Sequence, residues 1–256
     1  MMYSNIFDTH AHYDDEKFQE DRDEFLSSLP SLGVSEVINC GCSLKSCRKS
    51  IELCEKYGYF YCALGIHSSD ITENSYDELE EIRKLYSYGK CVAVGEIGLE
   101  YHYDDVPKEA QLDIFEKQLI LSKELDLPVI VHDREAHEDT MNLLKKYKPK
   151  GVVHCFSGSV EMAKEVIKLG MYIGLGGAVT FKNARKPLEV AEYVPIERLL
   201  LETDCPYMTP VPFRGKRNSS DLIVYTAEKI AEVKHIDTQE LIDTANKNAH
   251  ELFKKI

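Results

Sequence analysis

Short apolar runs, rich in β-branched residues and too short for helices, recur along the chain: IFDTHAH, EVINCG, FYCALGIH, CVAVGEIG, PVIVH, GVVHCF, YIGLGG and RLLLETD. Between them lie stretches of helical length with apolar residues set among charges, such as 107–126 with Leu112, Phe115, Leu119 and Ile120, and 160–169. Near-continuous apolar strands separated by helices predict a parallel sheet buried on both faces. Eight such units in 256 residues predict a (β/α)8 TIM barrel. An open doubly wound sheet is the rival, but it would not gather polar residues from so many strand ends onto one centre. After the eighth run come a Pro-rich stretch, 206–213, and two helical segments. The last opens at Asp237 with Glu240 three residues on and runs through Leu241, Ala245 and Leu252. This tail reads as a C-terminal helical closure of the barrel, so that 1–256 is expected to form one domain.

The polar residues that end the runs change the picture. His10 and His12 end the first, His67 the third, Glu96 lies late in the fourth, His132 ends the fifth, His154 lies in the sixth and Asp204 ends the eighth. In an extended strand residues i and i+2 share a face, so His10 and His12 can converge on one point. In a (β/α)8 barrel all C-terminal strand ends surround one mouth, so residues nearly two hundred positions apart can meet there. Any one of these side chains is better read as a strand-end polar group bonded to backbone or water; six or seven together are not.

Imidazoles and carboxylates in this number match a two-metal hydrolytic centre. Imidazole ligation suits Zn, Mn, Co or Ni, with Mg kept as a candidate although a pure Mg site would be dominated by oxygen. Glu96 is the candidate bridging carboxylate. Two ions about 3.5–4 Å apart can activate a shared water at neutral pH.

Composition is that of an ordinary globular chain, 43% hydrophobic and 29% charged. No apolar run approaches the ~20 residues of a membrane span, and no leader pattern precedes the first strand, so a cytoplasmic protein is expected. The eight cysteines are spread through the chain, several inside apolar runs, and read as reduced thiols. A formal net charge of −13 argues against coating nucleic acid by bulk electrostatics, though not against a local basic groove such as RGKR at 214–217. No obligate protein partner is evident.

The strings DTHAH, GEIGLEYH, VHDREAHEDT, HCFSG and ETDCPYMTPVPFRGKRN, in this order, resemble the TatD-related deoxyribonuclease family within the amidohydrolase-like metal-dependent hydrolases. The resemblance implies a divalent-metal nuclease that cleaves DNA phosphodiester bonds, often as a 3′-to-5′ exonuclease. By the family's pattern His10, His12, Glu96 and Asp204 would hold one metal and Glu96, His132 and His154 the other, with Asp204 doubling as general base. The chain departs from that pattern in GIHSSD, which keeps His67 but lacks a second histidine, in Glu100 where aspartate is usual, and in Ser219–Ser220 after Asn218.

A phosphodiester needs donors for its oxygens. Arg134, Arg214, Lys216 and Arg217 are placed on mouth loops by the expected fold and are candidates for that contact, with a solvated charge run as the alternative for RGKR. Tyr101 and Tyr207 are candidate stacking surfaces. His67 is a candidate catalytic group, as an acid toward the leaving oxygen or a donor to phosphate, with a purely structural role as the alternative. Other readings are hydrolysis of a small amide, lactone or ester, cleavage of RNA or an aminoacyl ester, and a non-catalytic metal-binding partner protein.

Overall fold

The computed structural model describes residues 3–256. Eight strands alternate with helices: β1 Ile6–Ala11, β2 Val34–Cys40, β3 Phe60–Leu64, β4 Cys91–Glu100, β5 Val129–Arg134, β6 Gly151–Val153, β7 Tyr172–Leu175 and β8 Leu199–Leu201. Each pairs in parallel with the next, giving the order β1 to β8 around a nearly closed TIM barrel. All eight apolar runs therefore become strands.

The seam between β8 and β1 is stitched by a few bonds instead of a regular ladder. The Thr9 hydroxyl donates to the Leu201 carbonyl at 3.0 Å. Above it the Asp204 amide donates to the His10 carbonyl at 2.9 Å, and the His12 amide to the Cys205 carbonyl at 2.8 Å.

Around the sheet run α1 Arg22–Ser28, α2 Leu44–Lys56, α3 Ser75–Leu85, α4 Lys108–Glu124, α5 His137–Tyr147, α6 Val160–Lys168, α7 Arg185–Tyr193, α8 Ile223–Lys234 and α9 Thr238–Leu252. The Asp237 carboxylate caps α9 by accepting from the Gln239 and Glu240 amides, as the sequence predicts. At its far end Ala249, Leu252 and Phe253 pack with Phe7, Ile38, Ile130, Val152 and Leu200, plugging the N-terminal end of the barrel. The tail thus closes the face opposite the strand C-termini.

Helix α4 differs from the expected pattern. Ile120 faces solvent, while Ile114, Phe115, Leu119 and Leu121 are buried together with Gln111 and Gln118. Both glutamines reach strand-end backbone: Gln111 accepts from the Glu100 amide and donates to its carbonyl, each at 2.9 Å. Gln118 treats Ile66 the same way, at 2.8 and 3.0 Å. A buried amide that satisfies both backbone groups of one residue fixes that residue as a further strand would. Among the described residues no helix is long and apolar enough to cross a membrane.

Candidate metal centre

The strand C-termini deliver the predicted residues to one cavity of about 670 Å3. His12, His67, Glu96, His132, His154 and Asp204 line it. His10 lies fully buried beneath, its ring stacked on that of His154 with centroids 3.8 Å apart. Glu96 is the hub. Its Oε2 lies 3.3 Å from His10 Nε2 and 3.4 Å from His12 Nε2. Its Oε1 lies 2.9 Å from His132 Nδ1 and 2.7 Å from His154 Nε2. Asp204 Oδ1 joins the first pair, 3.4 Å from His12 Nε2 and 3.8 Å from His10 Nε2. The seam bonds explain that approach, because they tie the backbone of Asp204 directly to His10. One carboxylate therefore spans two imidazole pairs, one oxygen to each.

The outer nitrogens settle which way the lone pairs face. His12 Nδ1 meets the Cys40 carbonyl at 2.9 Å, and His132 Nε2 meets Glu100 Oε2 at 3.3 Å. Both partners only accept, so each ring carries a proton there and turns its other nitrogen toward Glu96. In neutral rings those inner nitrogens are bare. His10 Nε2 and His12 Nε2 are 3.0 Å apart, and His132 Nδ1 and His154 Nε2 are 3.2 Å apart. The bare nitrogens of neutral His12 and His132, each set beside a second imidazole nitrogen at one oxygen of Glu96, make a donor set that fits a divalent cation on each side of that carboxylate.

Without ions, the imidazoles and carboxylates set one another's protonation. Burial disfavours charge on Glu96, but the imidazoles of His154, His10 and His67 outweigh it and hold the carboxyl well below the usual range. Burial likewise opposes charge on His154, where Glu96 and Glu202 prevail and raise it well above an ordinary imidazole. His12 is also raised against its burial, by Cys42, Asp204 and Glu96, and His132 by Glu100 and Glu96. Asp204 is lowered despite burial, chiefly by His12.

Of the other predicted residues, Arg134 reaches the cavity. It ends β5, its guanidinium is 3.6 Å from Glu100 Oε2 and 5.2 Å from the centre of the Tyr103 ring. Arg214, Lys216, Arg217 and Tyr101 do not line the cavity. The Arg214 guanidinium lies 3.8 Å over the Phe181 ring and donates to the Thr209 carbonyl, and the Lys216 ammonium is 5.6 Å from the Phe213 ring centre. Arg217 forms a two-pronged pair with Asp21. The Tyr101 hydroxyl donates to Asp139. The RGKR run is thus largely turned back onto its own protein. Tyr207 does line the cavity, its hydroxyl donating to Asp15.

Sequence reasoning missed four features of the wall. Tyr103 is an exposed ring at the mouth, and Asp14, Asp15 and Asp70 make one side acidic. Glu100 orients His132. Glu202, fully inside the barrel, places Oε1 3.7 Å from His154 Nδ1, and Gly174 leaves it room, since a Cβ there would sit 2.4 Å from Glu202 Oε2. Glu202 stands two positions before Asp204 in LLLETD, a spacing that offered a signal for an inward side chain below the centre.

Comparison with known proteins agrees with this geometry. The model of the family described as TatD related DNase matches residues 7–254. The uncharacterized metal-dependent hydrolase YabD of Bacillus subtilis is 41% identical over 97% of this chain and 99% of its own length. The crystal structure of YjjV, a TatD homolog from Escherichia coli, superposes with a TM-score of 0.91 at 32% identity over 99% of each chain. A TatD family hydrolase from Entamoeba histolytica superposes at 0.87 with 27% identity over the whole of both chains. With eight strand ends converging on a paired imidazole–carboxylate centre and likeness running from end to end, the chain belongs to the TatD-related family of metal-dependent hydrolases.

Proposed function

We propose that the protein is a divalent-metal-dependent deoxyribonuclease that removes nucleotides from a DNA end, in the 3′-to-5′ direction. The observation that carries this reading is the split of Glu96 between the His10/His12 and His132/His154 pairs, with Arg134 standing as the one Lys or Arg side chain among the residues lining the cavity. Divalent ions bound there would supply Lewis acidity at a phosphoryl oxygen and acidify a water enough for attack near neutral pH. His10, His12, Glu96 and Asp204 would hold one ion, and Glu96, His132 and His154 the other.

Asp204 is partly exposed to the cavity and lies on the Oε2 side of Glu96. From there its carboxylate orients the attacking water and accepts its proton. Arg134 holds a non-bridging phosphate oxygen through charge-assisted hydrogen bonds. The cavity volume is that of a small-molecule site, which suits one nucleotide at a strand end better than a continuous duplex. The exposed Tyr103 and Tyr207 rings at the mouth offer stacking surfaces for the bases that follow.

The test is nucleotide release from 3′-end- and 5′-end-labelled single-stranded DNA by chelated protein, repeated after adding back Mg, Mn, Co or Zn, with Asp204→Asn alongside. Metal-restored release that fails in the variant supports the nuclease, and the label lost first gives its polarity. One observation favours a second reading. Asp14, Asp15 and Asp70 face the cavity against a single arginine, a wall better suited to a neutral or cationic ester, lactone or amide than to a polyanion. Turnover of such substrates without DNA cleavage under any metal would decide for it.

A further inference from the structure

His67, Glu96 and His132 bring ligand atoms within 4.8 Å of one another, so His67 is a candidate third imidazole ligand on the Oε1 side of Glu96. Its surroundings give a different answer. The chain turns sharply after β3, and His67 caps the short helical turn Ser68–Asp70 with its own side chain: the Ser69 amide donates to His67 Nδ1 at 3.1 Å. A backbone amide can only donate, so Nδ1 must present its lone pair, and the proton of the neutral ring must sit on Nε2. Asp70 Oδ2, the acceptor that could favour the opposite tautomer, is 4.0 Å from Nδ1 and beyond hydrogen-bonding distance. Nε2 points inward, 3.6 Å from Glu96 Oε1.

The arrangement is rigid. The His67 amide donates to the Cys42 carbonyl at 2.9 Å, Gln118 clamps the preceding Ile66, and the ring meets that of His132 edge to face with centroids 4.5 Å apart. His67 is held oppositely to its neighbours. His12 and His132 have acceptors on their outer nitrogens and turn lone pairs inward, whereas His67 has a donor on its outer nitrogen and turns an N–H inward.

We infer that His67 is a catalytic residue that donates a hydrogen bond from Nε2–H to a substrate oxygen, on the side of Glu96 away from Asp204, and that it ligates no metal. A nitrogen that bears a proton has no lone pair for an ion. With Nδ1 engaged as an acceptor by the Ser69 amide, the proton on Nε2 is the one the ring presents to the cavity. The substrate part of this inference rests on the phosphodiesterase reading; the tautomer and the exclusion from ligation do not.

Two measurements need no substrate. In zinc-loaded protein labelled with 15N-histidine, long-range 1H–15N correlation should give His67 the Nε2–H pattern, assigned by its loss in His67→Gln. Metal titration with elemental analysis should find the same number of bound ions in His67→Ala as in wild type, with affinities within about threefold. With bis(p-nitrophenyl) phosphate, His67→Ala should lose about 10²–10³ in kcat with little change in KM. His67→Gln, whose amide nitrogen can stand near Nε2, should recover at least about tenfold over alanine, and His67→Asn, which cannot reach that position, should not. An Nδ1–H signal, a lost ion in His67→Ala, or an unchanged kcat in that variant would each overturn the inference. If wild-type protein cleaves no phosphodiester, the proposed function falls while the tautomer and ion count still decide the role of His67 toward metal.

Discussion

In the proposed two-ion centre, Glu100→Ala should weaken one metal site selectively. Glu100 contributes no atom to the paired centre, yet its Oε2 receives the His132 Nε2 proton at 3.3 Å and so keeps His132 Nδ1 turned bare toward Glu96. Removing the carboxylate frees His132 to move its proton to Nδ1, the tautomer that cannot bind an ion. Loss of such an orienting partner typically costs 10- to 100-fold in metal affinity, about 1.4–2.8 kcal/mol. The 3.3 Å separation is long for a charge-assisted bond, and Arg134 is 3.6 Å from the same oxygen and competes for it, so a loss near tenfold is expected. The backbone of Glu100 should stay in place, because Gln111 holds both its amide and its carbonyl. Zinc titration against a competing chelator is the assay. It should show one site unchanged, that of His10, His12 and Asp204, and one weakened, while Glu100→Gln, which keeps an acceptor, loses less. Equal weakening of both sites, or none, would refute the reasoning that the outer partner sets the inner lone pair.

Asp204→Asn should abolish metal-dependent turnover while leaving the circular dichroism spectrum unchanged; full activity would remove Asp204 from the chemistry. Arg134→Ala should raise KM for an oligonucleotide roughly 10- to 100-fold, less at high salt, and leave KM for an uncharged ester nearly unchanged. Equal effects on both substrates would mean that Arg134 supports the centre through Glu100. Arg214→Ala should leave DNA affinity unaltered and lower stability by about 1–2 kcal/mol, read as a shift in denaturant midpoint, because its guanidinium packs on Phe181 and bonds Thr209. In chelated protein the raised values of His12, His132 and His154 mean that their stabilisation is complete below about pH 6.5 and is lost as pH rises through the folded values. Tm should therefore fall from about pH 6.5 upward in chelator, and excess zinc, which needs the neutral rings, should flatten or reverse that slope.

The barrel was legible because buried parallel strands write themselves as apolar runs, and eight of them between helical stretches leave few other architectures. Once the barrel is granted, the convergence of His10, Glu96, His132 and Asp204 follows from topology without side-chain detail. Legibility ended where the chain left the sheet. Tyr101 and Tyr103 both follow β4, but beyond Glu100 no strand alternation fixes direction: Tyr101 turns to Asp139 while Tyr103 turns to the mouth. The RGKR run fails for a related reason. Charge in sequence says nothing of which partner a long side chain finds: Arg214 turns to Thr209 on its own loop and to Phe181 on another, and Arg217 to Asp21, 196 positions away. The hidden positions of Gln111 and Gln118 were unreadable because polar residues on a helix are assigned to its wet face, and only the unsatisfied backbone of Glu100 and Ile66 calls them inward.

The stitched seam has a bearing on how the protein is made. Asp204 is translated 194 residues after His10, yet their side chains lie 3.8 Å apart and their backbones share a hydrogen bond. A nascent chain that stops short of β8 carries the histidines but lacks the strand that closes the barrel beside them. Because that last contact spans most of the sequence, its loop-closure cost is met only when the other strands are already in place. The contact between His10 and Asp204 therefore forms after the other strands have paired, and a chain cut short before β8, however well its early strands pair, lacks it.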